Sequence, residues 1–276
     1  MTILTSYHTH TTWSDGRFAL AAMVRAAADA GLHELGISDH LAVLPVGAPP
    51  AAWSIPVDAV PAYRRAVRQA AARAPMRVRL GLEVDYVPAA ADTLRAVLGA
   101  NPTEYRIGSV HVVDGLVIDG DPSPWRTLGP DGVNHVWRRY WAIVAEMASS
   151  GLFAIAGHLD LPKKFGYRPS ADLRPLVARA LQAVAASGMT VELNTSGWDR
   201  PCGEPYPDTD ILAMCRDLSI PVLVTADAHA PDEITRHYDR ARRHLRLLGL
   251  TPPPTLDEIL ARWRAAAGGA VPARPF

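Results

Sequence analysis

Cysteine is nearly missing from this chain of 276 residues, with only two, Cys202 and Cys215. They could close at most one bridge, so no disulfide framework holds the fold. Net charge is missing too. The 28 basic residues balance 28 acidic ones, which offers no global attraction for nucleic acid or an anionic membrane. Charged residues interrupt every alanine-rich stretch, so no apolar run approaches the roughly 20 residues that span a bilayer. The first residues, Met1–His8, lack a basic segment followed by an apolar run, and a cytoplasmic location is the expectation. No partner beyond a small molecule is expected, neither nucleic acid nor membrane, and the oligomeric state is left open. What the chain does have is a 49% hydrophobic fraction, ample for a buried core and incompatible with wholesale disorder.

Short apolar runs alternate with helical patterns. The runs are Ile3–Tyr7, Glu34–Ser38, Val78–Val84, Tyr105–Val110, Phe153–Gly157, Thr190–Leu193 and Pro221–Thr225. Between them, apolar residues three or four apart predict helices over Phe18–Ala30, Val60–Arg73, Asp92–Leu98, Val133–Ser149, Leu173–Ala186 and Ile211–Leu218. Gly31, Gly151 and Gly188 stand where left-handed caps would end three of them. This rhythm predicts a parallel sheet covered by helices, either a closed barrel or an open doubly wound sheet. No Gly-x-Gly-x-x-Gly turn follows the first strand, which disfavours a dinucleotide-binding sheet. The expectation is an α/β barrel, distorted or one repeat short of eight, with no composition break to divide residues 1–276. Two connections, Leu41–Pro56 and Asp114–Asp131, look like long loops and are candidate lids.

Polar residues collect at the strand ends. His8 and His10 end the first strand, two apart and therefore on one side of an extended chain. Asp15 follows in a turn. His40 ends the second strand, Glu83 the third, His111 the fourth and His158 the fifth, while Asp227 and His229 end the last. In a parallel barrel all strand C-termini open onto one face. Imidazoles and carboxylates without thiolates suit zinc, iron or manganese, and this set is too large for one ion. Roughly two or three divalent ions are expected. Each residue alone has a plainer reading, Asp15 for instance as a helix cap; only the convergence favours metal. His33, His135, His237 and His244 lie away from strand ends and read as surface or structural. Asp39 and Asp160 adjoin two of the histidines, and either orient imidazoles or form turns.

Taken in order, His8-x-His10 with Asp15-Gly16, Ser38-Asp39-His40, Gly81-Leu82-Glu83, Ser109-Val110-His111, Gly157-His158-Leu159-Asp160 and Thr225-Ala226-Asp227-Ala228-His229 resemble the polymerase and histidinol phosphatase (PHP) superfamily. Gly157–Gly166, Glu192–Gly197 and Gly203–Pro207 look more narrowly like its histidinol-phosphate phosphatases. The resemblance implies a distorted (β/α)7 TIM-like barrel with a trinuclear metal centre at the C-terminal face of the strands. One ion would be held by His8, His10, Glu83 and Asp227. Glu83 would bridge to a second, on His111 and His158, and Asp15, His40 and His229 would hold the third. Many members carry histidine where Asp15 stands, and aspartate there resembles the histidinol-phosphatase branch.

The implied chemistry is hydrolysis of L-histidinol phosphate, with Glu83, Asp15, His40 and Asp227 in the reacting centre and a metal-bridging hydroxide attacking phosphorus. No motif for a covalent phospho-enzyme stands out. Lys163, Lys164 and Arg200, and more weakly Arg17, are candidates to grip phosphate. The family often has a basic residue where Asp199 stands, which moves the expected contact to Arg200. Glu204, Asp160, Trp13, Trp53 or Trp198 could meet the histidinol end. Rival readings are a phosphoesterase for nucleotides, oligonucleotide ends or sugar phosphates, a metal-dependent amidohydrolase, and a metal-stabilised domain without catalysis. Glu83, His111 and the lack of a lysine at the fourth strand end disfavour the amidohydrolase.

Overall fold

In the computed structural model, which describes residues 4–250 and 255–266, parallel strands form a nearly closed barrel. The strands are β1 (Thr5–Ser6), β2 (Glu34–Ile37), β3 (His40–Ala42), β4 (Arg77–Asp85), β5 (Tyr105–Ser109), β6 (Val112–Val113), β7 (Leu116–Val117), β8 (Ile155–Ala156), β9 (Thr190–Asn194) and β10 (Val222–Thr225). The helices are α1 (Leu20–Asp29), α2 (Val60–Ala71), α3 (Ala91–Ala100), α4 (Ser123–Thr127), α5 (Gly129–Ser149), α6 (Arg174–Ala186), α7 (Thr209–Asp217), α8 (Tyr238–Leu247) and α9 (Leu256–Ala266). The sheet runs β1-β2-β4-β5-β8-β9-β10, with β3 continuing along β4 beyond β2. All of these pairings are parallel. The two edges meet just past β1 and β10, where Thr9 bridges Ala228 and the His10 N–H donates to the Ala228 carbonyl at 2.9 Å.

Parallel strands are covered on both faces, so their residues are apolar in runs rather than alternating. The strand β10, Val-Leu-Val-Thr, is buried throughout. Around the barrel, α5 buries Val133, Val136, Trp137, Tyr140, Ile143, Val144 and Met147, the spacing of one helix face. Each such side chain stabilises the fold by about 1.5–3 kcal/mol on leaving water. Inside, Tyr105 fills the space that side chains at Gly36 and Gly81 would need, and its hydroxyl donates to the Tyr7 carbonyl at 2.6 Å. Glycine two residues before Glu83 thus makes room for an aromatic plug beneath the site.

The helices expected from periodicity form within a few residues of their expected bounds, and Gly31, Gly151 and Gly188 take left-handed φ values of 75°, 69° and 66°. The segment Asp114–Asp131 is corrected: it is not one long loop. Asp114 and Gly115, at φ of 49° and 86°, make a two-residue hairpin turn between β6 and β7, and α4 and the start of α5 follow. Asp-Gly between short apolar pairs is the usual sequence signal for that turn. The Leu41–Pro56 connection begins as β3 and is pinned at its ends. The Ala42 N–H donates to Ser54 Oγ at 2.8 Å and the Ile55 N–H to the His40 carbonyl at 2.9 Å. The first expected strand begins at Ile3, outside the described residues. Among the described residues no helix is long and apolar enough to cross a membrane.

Candidate metal centre

Strand direction does most of the assembly. His8, His10, His40, Glu83, His111, His158, Asp227 and His229 leave their strands at one end of the barrel, and Asp15 joins them from the turn that follows His10. Pairing register places His40 beside Glu83 and Glu83 beside Ile107, and Ser109 donates its hydroxyl to Glu83 Oε1 at 2.6 Å.

Glu83, 1% exposed, is the centre of the cluster. Its Oε2 lies 2.9 Å from His8 Nε2, 3.3 Å from His10 Nε2 and 3.1 Å from His40 Nδ1. Its Oε1 lies 2.6 Å from His158 Nε2 and 3.5 Å from His111 Nε2. Asp227 Oδ1 lies 3.2 Å from His10 Nε2 and 3.6 Å from His8 Nε2. Asp15 Oδ1 lies 3.4 Å from His229 Nε2, 3.6 Å from His40 Nε2 and 3.9 Å from His10 Nδ1. The structure therefore brings together the whole ligand set expected from sequence.

Among the described residues, four donor groups could each hold an ion: His10, Asp15, His40 and His229; His8, His10 and Asp227; His8, Glu83 and His158; and His40, Glu83 and His111. These overlap the implied grouping and divide His111 from His158, although the two Nε2 atoms are 3.2 Å apart.

The donor chemistry fits divalent cations. His10 is fully buried, yet neither ring nitrogen has a hydrogen-bond partner, an arrangement that costs free energy unless something binds the lone pair. Burial, with His229 and His40 alongside, lowers its pKa to about 3, so the ring is neutral and available as a ligand. Burial would raise Glu83, but the surrounding imidazoles at His40, His8, His158 and His111 outweigh it and hold the carboxyl well below the ordinary range. Asp227 behaves likewise, burial being outweighed by His8, His10 and His229.

Two buried carboxylates that the sequence reading left without a role set the ring orientations. Glu192 lies 2.9 Å from His8 Nδ1 and also accepts the His158 N–H at 2.6 Å and the Thr225 hydroxyl at 2.9 Å. Asp85 lies 2.9 Å from His111 Nδ1 and accepts the His111 N–H at 2.9 Å. With Nδ1 engaged, Nε2 of each ring faces the cluster, the usual arrangement behind a metal-bound imidazole. Period-two spacing was the available signal: Asp85 follows Glu83 by two and shares its side of the strand.

Asp39 and Asp160 do not orient imidazoles. Asp39 accepts from Thr11 and Ser14, backbone and hydroxyl, between 2.6 and 3.2 Å, and so fixes the turn that carries Asp15. Burial raises the Asp160 carboxyl to about 7; it accepts from Lys163 Nζ and the Asp208 N–H. A further residue missed from sequence is Arg236, which donates to the Ala226 and Asp227 carbonyls at 2.8–3.0 Å. It braces Asp227 in the left-handed region, at φ of 49°, where a non-glycine residue costs roughly 1–2 kcal/mol.

Above the cluster opens a cavity of about 200 Å³, lined by cluster residues together with Arg17, Asp119, Leu161, Lys164, Ser196, Arg200, Tyr206 and Glu233. Three expected phosphate contacts therefore face it: Arg17, Lys164 and Arg200. Lys163 does not, and that expectation is corrected. Its side chain is 0% exposed, with Nζ 2.7 Å from Asp160 Oδ2 and 3.4 Å from Glu204 Oε2; it also donates to the Pro205 carbonyl. A lysine so enclosed is a structural clasp. Asp199 turns away to His237 at 2.6 Å. Glu204, Asp160, Trp13, Trp53 and Trp198 do not line the cavity, which corrects their assignment to the organic half of a substrate.

With this geometry in place, comparisons with known proteins decide the family. The model of the PHP domain matches residues 6–196. The chain belongs to the PHP family. A probable histidinol-phosphatase of Deinococcus radiodurans is 36% identical to this PHP chain over 229 residues, 82% of the chain and 85% of the relative. In fold the PHP chain is similar to a putative histidinol phosphatase from Listeria monocytogenes, at TM-score 0.76 and 21% identity over 86% of this chain and 99% of that one. It is also similar to a histidinol phosphate phosphatase from Lactococcus lactis complexed with zinc, L-histidinol and phosphate, at TM-score 0.74 and 20% identity, covering 91% and 95%. The matched PHP segment ends before Asp227 and His229, which nonetheless complete the cluster in space.

Proposed function

We infer that this PHP chain is a metal-dependent phosphomonoesterase that hydrolyses L-histidinol phosphate to L-histidinol and phosphate. The observation that carries the metal-dependent chemistry is His10, wholly buried with both ring nitrogens unpartnered among carboxylates and further imidazoles. The substrate follows from the Deinococcus relative, at 36% identity over most of both chains.

His8, His10, Glu83 and Asp227 would hold one divalent ion, Glu83 with His111 and His158 a second, and Asp15, His40 and His229 a third. Zinc, iron and manganese all suit nitrogen and oxygen donors, and zinc is the ion in the Lactococcus structure. Bound there, divalent ions supply positive charge that offsets the repulsion of a phosphate dianion, and they acidify water enough to make a nucleophile near neutral pH.

The protein's own groups do the rest. Glu192 and Asp85 hold His8 and His111 in fixed tautomers. Asp39 and Arg236 fix the turns that carry Asp15 and Asp227, so the donors are preorganised before substrate arrives. Lys164 and Arg200 present cations to the phosphate oxygens, and Arg17, already paired with Glu233 at 2.7 Å, adds charge at the rim. The test is kcat/KM for phosphate release from L-histidinol phosphate beside a panel of nucleotide and sugar phosphates, on metal-replete and chelated protein. A value in the ordinary enzyme range of about 10⁴–10⁸ M⁻¹s⁻¹, above the panel and lost on chelation, is the expected result. Selective turnover of a nucleotide or sugar phosphate would reassign the substrate.

A further inference from the structure

We propose that Asp119 is the specificity residue of this pocket, accepting the ammonium group that sits beside the ester carbon of an amino-alcohol phosphate. The inference rests on the L-histidinol phosphate reading and extends it to the organic half of the substrate.

Asp119 is an anion in an unexpected place. The cavity must admit a phosphate dianion, and a spare carboxylate on its wall repels one. The other rim acid, Glu233, is fully committed: it accepts from Arg17 at 2.7 Å and from the His229 N–H at 2.7 Å, with Arg236 3.6 Å away. Among the described residues, Asp119 has one hydrogen-bonded side-chain partner, Lys164 Nζ at 3.1 Å. That lysine is among the cations placed to bind phosphate. When Lys164 turns to phosphate, Asp119 loses its hydrogen-bonded cation. A substrate carrying its own cation next to the phosphate restores the balance; a plain phosphate ester does not. The pair thus rewards a zwitterionic substrate and penalises a purely anionic one, since specificity requires a cost against the wrong ligand as well as a gain for the right one.

The position of Asp119 is built into the fold. The preceding residue, Ile118, donates its N–H to the His111 carbonyl at 2.9 Å and accepts from Trp125 Nε1 at 2.8 Å. The β6–β7 hairpin therefore delivers Asp119 to the cavity from the same strand end that carries His111. Asp119 is not a member of any donor group that could hold an ion among the described residues, although, against the effect of burial, the neighbouring His111 and His158 help hold its carboxyl below the ordinary range.

The experiment compares L-histidinol phosphate with its deamino ester, 3-(imidazol-4-yl)propyl phosphate, on metal-replete wild type and D119N. Wild type is expected to prefer the amine-bearing ester, and D119N to lose that preference by roughly 10- to 100-fold in the ratio of kcat/KM values, the scale of one charged hydrogen bond. The change should fall mainly on KM, with metal content unchanged by elemental analysis. A wild type that does not discriminate between the esters overturns the proposal. So does a D119N ratio equal to that of wild type, or a loss of bound metal in D119N, which would make Asp119 a ligand. Wild type inert toward L-histidinol phosphate but active on another phosphate ester would instead remove the substrate reading itself.

Discussion

The two ends of the metal cluster are built differently. At the inner end, His8 and His111 each rest on a buried carboxylate, Glu192 or Asp85, and every donor apart from Asp227 is almost wholly enclosed. At the outer end, Asp15 and His229 have side chains 37% and 20% exposed, and His229 Nδ1 meets the Asp227 carbonyl at 3.0 Å and its Oδ1 at 3.6 Å. Among the inner donors Glu83 lies within β4, and His8, His111, His158 and Asp227 each stand two residues past a strand end, whereas Asp15 and His229 come from a turn and a bend farther out. A ligand held by a second, buried partner has little freedom left to lose on binding, and metal affinity depends strongly on such partners. The inner ions should therefore be held more tightly than the outer one.

The comparison can be broken most severely at Glu83, whose carboxylate meets the inner His8, His10, His111 and His158 and the outer His40. Glu83→Gln should lower kcat/KM by roughly 10³-fold or more, the upper scale for removing a group that stabilises developing charge, with bound metal lost from both ends by elemental analysis. Full metal content in this variant would mean that the ends are independent. Asp15→Asn acts chiefly at the outer end, reaching the inner donors only at His10, 3.9 Å away. We expect one ion fewer and a fall in kcat of roughly 10²-fold, with the remaining ions retained. In wild type, a graded chelator titration should remove one ion before the others; simultaneous loss would erase the distinction between the ends.

Glu192→Gln leaves every first ligand in place and removes only the charge behind His8. A loss of roughly 10- to 100-fold in metal affinity or activity is expected, measured by metal titration, and it should spare the outer ion. Next in size, Arg200→Ala should raise KM by about 10-fold through loss of a charged contact to phosphate, with metal content intact. Arg17→Ala should matter least. Its side chain is 59% exposed and its pair with Glu233 is at the rim, where ion pairs contribute about 0–1 kcal/mol, so KM should move only a few-fold.

The two adjacent lysines show where reading from sequence stops. Lys163 and Lys164 have the same chemistry and the same loop, and both were expected at the phosphate. Lys163 lies in a 3-10 turn that follows Asp160 at φ of 62°, and the turn points its side chain inward to Asp160. Lys164, one residue on, points to the cavity. No periodicity governs so short a turn, so nothing in the local sequence distinguishes them. Helix α8 escaped for a related reason: its buried Tyr238, Ala241 and Leu245 form a thin stripe in an arginine-rich segment. The β6–β7 hairpin has a local signal in Asp114-Gly115, but its strands of two residues leave no alternation to count.

What the sequence determined by itself was the barrel and the set of side chains that converge at one end of it. Strand-then-helix alternation fixes parallel strands, parallel strands open their C-termini on one face, and period-two spacing turns His8 with His10, or Asp227 with His229, toward a common centre. What only the tertiary structure decided was the second layer and the rim: that Glu192 reaches His8 across the barrel, that Lys163 is a clasp while Lys164 faces the cavity, and that Asp119 joins the pocket wall. Those contacts link residues far apart in the chain, or depend on turns whose side-chain directions follow no period, so they exist only once the barrel has closed.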